Sequence, residues 1–140
     1  METSNHAITI KTTVNAPIAK VWNFWSEPDH VRNWNNASPD WHTPKAENDL
    51  REGGKFSFTM AAKDGSFSFD FGGEYTQVVA HKTIAYVLED ARKVTVVFEE
   101  KGDSVEITET FDPENQNDPE FQRQGWQAIL DNFKKYIEGN

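Results

Sequence analysis

The chain reads as an α+β protein in which a curved antiparallel sheet is closed by one long C-terminal helix, and three observations predict this. From Lys55 to Phe111, apolar and polar residues alternate in short runs separated by turn signals, the period-2 pattern of half-buried strands. From Gly125 to Ile137 the period changes. Trp126, Ile129, Leu130, Phe133 and Ile137 recur at the three-and-four spacing of a helical face, with Asp131, Asn132, Lys134 and Lys135 opposite. Before the strands, two short helical patterns follow one strand. An amphipathic helix needs an apolar surface to cover, and the sheet is the surface available.

In the first strand Ile8, Ile10, Thr12 and Val14 alternate with Thr9, Lys11 and Thr13. Asn15-Ala16-Pro17 opens a helix with Ile18, Val21, Trp22 and Trp25 on one face, and Pro28 ends it. A second short helix is expected from about Asp29 to Trp34, then a loop over residues 35–39, then a strand between Trp41 and Leu50. Glu52-Gly53-Gly54 turns into Phe56, Phe58 and Met60, and Asp64-Gly65 is a hairpin signal that returns the chain into Phe67, Phe69 and Phe71. Gly72-Gly73 points to a bulge, a bend or a close backbone approach before residues 74–79. Ile84, Tyr86 and Leu88, then Val94, Val96 and Phe98, then Val105, Ile107 and Phe111 supply three more strands. Asp118-Pro119 caps the final helix, aspartate accepting free amides and proline filling the first helical position. The expected sheet has about six to seven strands.

With 140 residues the sequence fits one domain, spanning 1–140. No apolar run approaches the roughly 20 residues of a membrane span, and the Met1–Asn5 stretch lacks the basic start and apolar core of a signal peptide. The absence of cysteine fits a reducing compartment and removes thiolate chemistry, so a cytoplasmic location is expected. A formal charge of -9 without a basic cluster argues against nucleic acid and anionic membrane surfaces as partners, since both are bound through Lys and Arg.

This order of strand, two helices, antiparallel meander and long helix is that of a helix-grip fold. Val14-Asn15-Ala16-Pro17 with Val21-Trp22, Pro28 and Trp34 resembles the N-terminal signature of the family named after the activator of Hsp90 ATPase homologue 1. The run from Asp49 to Phe56 resembles its glycine-pair turn, Gly73 to Tyr86 its mid-sheet segment, and Gly125-Trp126 with Leu130 its final helix. The chain departs from the pattern at Gln77 and Ala80, where the family usually carries glutamate and proline. The resemblance implies membership of the Bet v 1-like, START-related (SRPBCC) superfamily, with a cavity between the curved sheet and the last helix. It also implies chaperone contact as a candidate partnership, although much of that contact in eukaryotic members belongs to a separate N-terminal domain.

Phe56, Phe58, Met60, Phe67, Phe69 and Phe71 share a parity that points them from adjacent strands toward the covering helix. They either fill the core or border a ligand site, since such sites are apolar, aromatic clefts with a few placed polar groups. The candidate ligand-binding set is Trp34, Trp41, Phe58, Phe69, Phe71, Tyr75, Tyr86, Trp126 and Leu130. Gly125 costs about 1 kcal/mol against alanine inside a helix, which points to close packing rather than to room for a ligand.

Signals for catalysis are sparse. His6, His30, His42 and His81 lack the spacing of a metal pair, and no nucleophile elbow or phosphate loop is present, so neither metal nor cofactor is expected. His42 is the histidine to inspect as a base. Asp70 should face away from the rings, whereas Glu74 faces either way; an acid forced into the cavity would have a raised pKa. Three readings follow: a binder of a small hydrophobic molecule, a protein interaction module, and a cyclase- or hydrolase-type enzyme using Glu74 or His42.

Overall fold

The computed structural model describes residues 7–140, so His6 and the stretch Met1–Asn5 lie outside it. The chain runs β1 (Ile8–Val14), α1 (Ile18–Ser26), α2 (Pro28–Trp34), β2 (Trp41–Asn48), β3 (Lys55–Ala62), β4 (Ser68–Val79), β5 (Thr83–Leu88), β6 (Lys93–Lys101), β7 (Ser104–Phe111) and α3 (Pro119–Glu138). These seven strands form one antiparallel sheet in the order β1-β7-β6-β5-β4-β3-β2. Helices α1 and α2 carry the chain from one edge of the sheet to the other, and the meander from β2 to β7 brings it back beside β1. The architecture is the α+β helix-grip fold.

Local chemistry explains the boundaries. Glu27 sits extended between α1 and α2 (φ -70°, ψ 126°), because the residue before proline is pushed out of the helical region. Pro28 is therefore the first residue of α2, one position earlier than expected. Asp118 accepts the Glu120 backbone N–H and Pro119 opens α3. At the β3–β4 hairpin Gly65 takes φ +80°, a conformation that glycine adopts without steric cost, and the Asp64 carboxylate accepts the Ser66 amide.

The glycine pair acts differently from a bulge. Strand β4 passes through Gly72 and Gly73 unbroken, and the register shift falls later, between Tyr75 and Gln77. A Cβ on Gly73 would lie 2.4 Å from the Val87 carbonyl oxygen, and one on Gly72 2.8 Å from that of Phe56. Neighbouring strands approach here as no side chain would permit, which lets the sheet curl.

The concave face carries the parity set seen in the sequence. Ile10, Val14, Ile84, Val94, Val96, Phe98, Val105, Ile107 and Phe111 are buried there against Leu130, Phe133 and Ile137 of α3. Trp126 is only partly buried. Its ring stacks on Phe111, with centroids 4.0 Å apart and planes at 7°. The expectation that Gly125 is a packing contact fails, because a Cβ there would meet no atom within 4 Å. Phe67 also departs from its expected place. It lies before β4 at the hairpin tip, 58 % exposed.

Candidate functional site

Between the curled sheet and α3 lies a cavity of about 280 Å³. Strands β3 and β4 contribute Phe56, Phe58, Met60, Phe69, Phe71 and Tyr75, strand β5 contributes Ile84 and Tyr86, and α3 contributes Trp126, Ile129 and Leu130. The register explains the convergence. Phe58 faces Phe71, Met60 faces Phe69 and Tyr75 faces Tyr86, so paired rings point to one side of the sheet. Helices α1 and α2 close the inner end with Trp25 and Trp34. The Trp34 indole N–H donates to the Phe24 carbonyl, fixing that ring as a wall.

Eight of the nine residues singled out in the sequence line this cavity: Trp34, Phe58, Phe69, Phe71, Tyr75, Tyr86, Trp126 and Leu130. Trp41 does not. Its ring lies 6.1 Å from both Phe67 and Phe69 in an outer aromatic cluster, because the register pairs Trp41 with Ala62 at the hairpin end of β3. His42 is exposed and absent from the lining, and Glu74 lies in a separate depression lined also by Lys55 and Glu89, outside the cavity. Neither can serve as an acid or base within the cavity. Asp70 faces away, accepting the Thr59 hydroxyl at 2.7 Å.

The polar group that matters was hidden by parity. Strand β7 places Val105, Ile107, Glu109 and Phe111 on the concave face, so a carboxyl occupies a position otherwise reserved for apolar side chains. Glu109 is 6 % exposed, flanked in register by Ile10 of β1 and Val96 of β6. Burial pushes its carboxyl up to about 8, so it is predominantly protonated at neutral pH. Tyr86 is raised well above the usual tyrosine value, first by burial and then by the Glu109 charge. The signal available in the sequence was a lone acid at the apolar phase of an alternating strand.

Most other polar groups in the wall are already committed. Burial raises the Tyr75 hydroxyl, which donates to Asn48 Oδ1 at 2.6 Å, while Asn48 Nδ2 donates to the Ser26 carbonyl at 2.7 Å. Gln122 Nε2 donates to the carbonyls of Glu114 and Asn117, and its Oε1 accepts the Glu114 amide. Arg92 is paired with Asp90 at 2.7 Å. Among the described residues, Asn35 Nδ2 is a buried donor without a partner, and neither the Glu109 carboxyl nor the Tyr86 hydroxyl forms a hydrogen bond. No group of three or more His, Asp or Glu side chains among them could hold a metal ion.

The profile of the family described as activator of Hsp90 ATPase homolog 1-like protein matches residues 15–138. The chain belongs to this family. A solution structure of a family member from Aeromonas hydrophila is 44 % identical, with a TM-score of 0.90 over 95 % of this chain and 92 % of that one. A solution structure from Cytophaga hutchinsonii is 55 % identical, with a TM-score of 0.84 over 96 % and 94 %. A crystal structure from Chromobacterium violaceum, 20 % identical with a TM-score of 0.85 over 96 % and 99 %, shares the fold. No curated protein matches the chain. Among the described residues, no helix is long and apolar enough to cross a membrane.

Proposed function

We propose that the protein binds a small hydrophobic or aromatic molecule in the cavity between the sheet and α3. The observation that carries this reading is an aromatic-walled space of about 280 Å³ inside a fold whose interiors ordinarily leave few voids larger than a water molecule. Burying about 200 Å² of ligand surface at roughly 25 cal/mol per Å² gives about 5 kcal/mol before association costs, so an unselected ligand should bind in the micromolar to millimolar range. Trp25, Trp34 and Trp126 border the space, so occupancy should change the intrinsic fluorescence.

The test is a titration with planar aromatic, polyketide-like and acyl-chain probes, followed by tryptophan emission. A saturable response is expected for at least one aromatic probe. Ile129→Phe, which fills the cavity from α3, should weaken it about tenfold while moving the melting temperature by only a few degrees. No saturable response across the panel would sink the reading.

One observation favours a second reading, contact with another protein. Trp41, Phe67 and Phe69 form an aromatic cluster at the β3–β4 hairpin, with Phe67 and Phe69 58 % and 42 % exposed. Exposed aromatic groups of this kind favour interfaces. Phe67→Ser would abolish a pull-down through this cluster and leave cavity binding intact.

A further inference from the structure

The polar wall of the cavity divides into groups that the protein satisfies and groups that it does not. Tyr75, Asn48, Gln122 and Trp34 all complete hydrogen bonds within the protein. Glu109 and Tyr86 form none among the described residues, though they are only 6 % and 9 % exposed. Asn35 adds a buried amide N–H without an acceptor. Polar groups without a partner in an apolar wall are unfavourable, and a strand position otherwise apolar would tolerate leucine without that cost. The unpaired groups share one feature. Each can donate a hydrogen bond, the carboxyl because it is held neutral, and each borders the same apolar space.

We infer that Glu109 and Tyr86 form a donor site for a carbonyl oxygen, so that the ligand class is an uncharged aromatic or polycyclic ketone. This inference rests on the cavity-binding reading. The rings of Phe56, Phe58, Phe71 and Trp126 take the body of the molecule, and the oxygen points toward β7 and β5. An anionic head group is disfavoured there, because the nearest cation in the wall, Arg92, is already engaged by Asp90. An ammonium ligand would require Glu109 to ionise in an apolar space, which burial opposes.

Three naphthalene probes of similar size test this at pH 7: 2-acetylnaphthalene, 2-ethylnaphthalene and 2-naphthylmethylamine. The ketone should bind the parent about tenfold more tightly than the hydrocarbon, the amount one well-made buried hydrogen bond supplies. Its carbonyl infrared band should move to lower frequency on binding. Glu109→Leu should abolish both the preference and the band shift while still binding 2-ethylnaphthalene, and Glu109→Gln, which keeps an N–H donor, should retain part of each. Tyr86→Phe should reduce the preference. Equal binding of ketone and hydrocarbon by the parent would overturn the donor site while leaving the cavity reading standing. Tightest binding by the amine, lost in Glu109→Gln, would overturn it in favour of an ion-pair site. No binding of any of the three would overturn the donor site, and extended to the acyl-chain and polyketide-like probes it would overturn the cavity reading as well.

Discussion

At the scale of single residues, Glu109 determines how stability should depend on pH. Its folded value of about 8 lies above the ordinary 4.5, so between these values the folded state holds a proton that the unfolded chain releases. The stability tied to this proton is complete below about pH 4.5, falls as pH rises, and is gone above about pH 8. Glu114, Glu120 and Glu138 act oppositely, because hydrogen bonds from Asn117, Arg123 and Lys134 hold them below the usual range. Their contribution is present above the ordinary glutamate value and lost as pH falls through the lowered ones. Glu120 and Glu138 are exposed and Glu114 is half-buried, so solvent screening keeps their effect small. Urea melts should therefore find maximal stability near pH 5 and a decline on the order of a few kcal/mol by pH 8.5, since each pH unit in the window carries at most about 1.4 kcal/mol. In Glu109→Leu the decline should disappear. A parent curve flat from pH 5 to 8.5 would mean that the carboxyl is not held neutral.

At the scale of elements, α3 joins the fold through one face and its cap. Leu130, Phe133 and Ile137 are fully buried against the concave sheet, whereas Trp126 and Ile129 border the cavity. Leu130→Ala should cost about 2 to 5 kcal/mol in denaturant melts, through lost contacts and an enlarged void. Asp118→Ala should cost about 1 kcal/mol, because the Glu120 amide loses its acceptor. A Leu130→Ala change within about 0.5 kcal/mol of the parent would place α3 outside the core. Turn and cap chemistry made these elements readable: Asp118-Pro119, Asp64-Gly65 and the alternation in β3 to β7 each specify their geometry locally. The curvature at Gly72-Gly73 was legible only as an irregularity. Its cause, the approach of the Phe56 and Val87 carbonyls, depends on which strands are neighbours.

Considered as a whole molecule, the protein carries a formal charge of -9, and nothing in its sequence gathers Lys and Arg into a patch. It should not shift duplex DNA in a gel at low salt, where electrostatic binding is strongest. A salt-sensitive shift at micromolar protein would overturn the charge argument. The outer cluster of Trp41, Phe67 and Phe69 shares Phe69 with the cavity lining, so only Trp41 and Phe67 separate the two aromatic features by mutation.

The sequence by itself determined the element order, the helix-grip fold, the family and the parity that turns most of the aromatic rings inward. Those properties are carried by period, turn residues and caps, which act over a few residues. The tertiary structure decided where the parity stops mattering: Phe67 and Trp41 share the apolar phase but lie outside the cavity lining, and Gly125 faces open space rather than a packing partner. It also decided that Glu109 is a cavity group while Glu74 and His42 are not. Burial of the carboxyl needs more than the local β6–β7 hairpin: strand β1, distant in sequence, closes the other flank through Ile10, and that long-range enclosure helps raise its pKa.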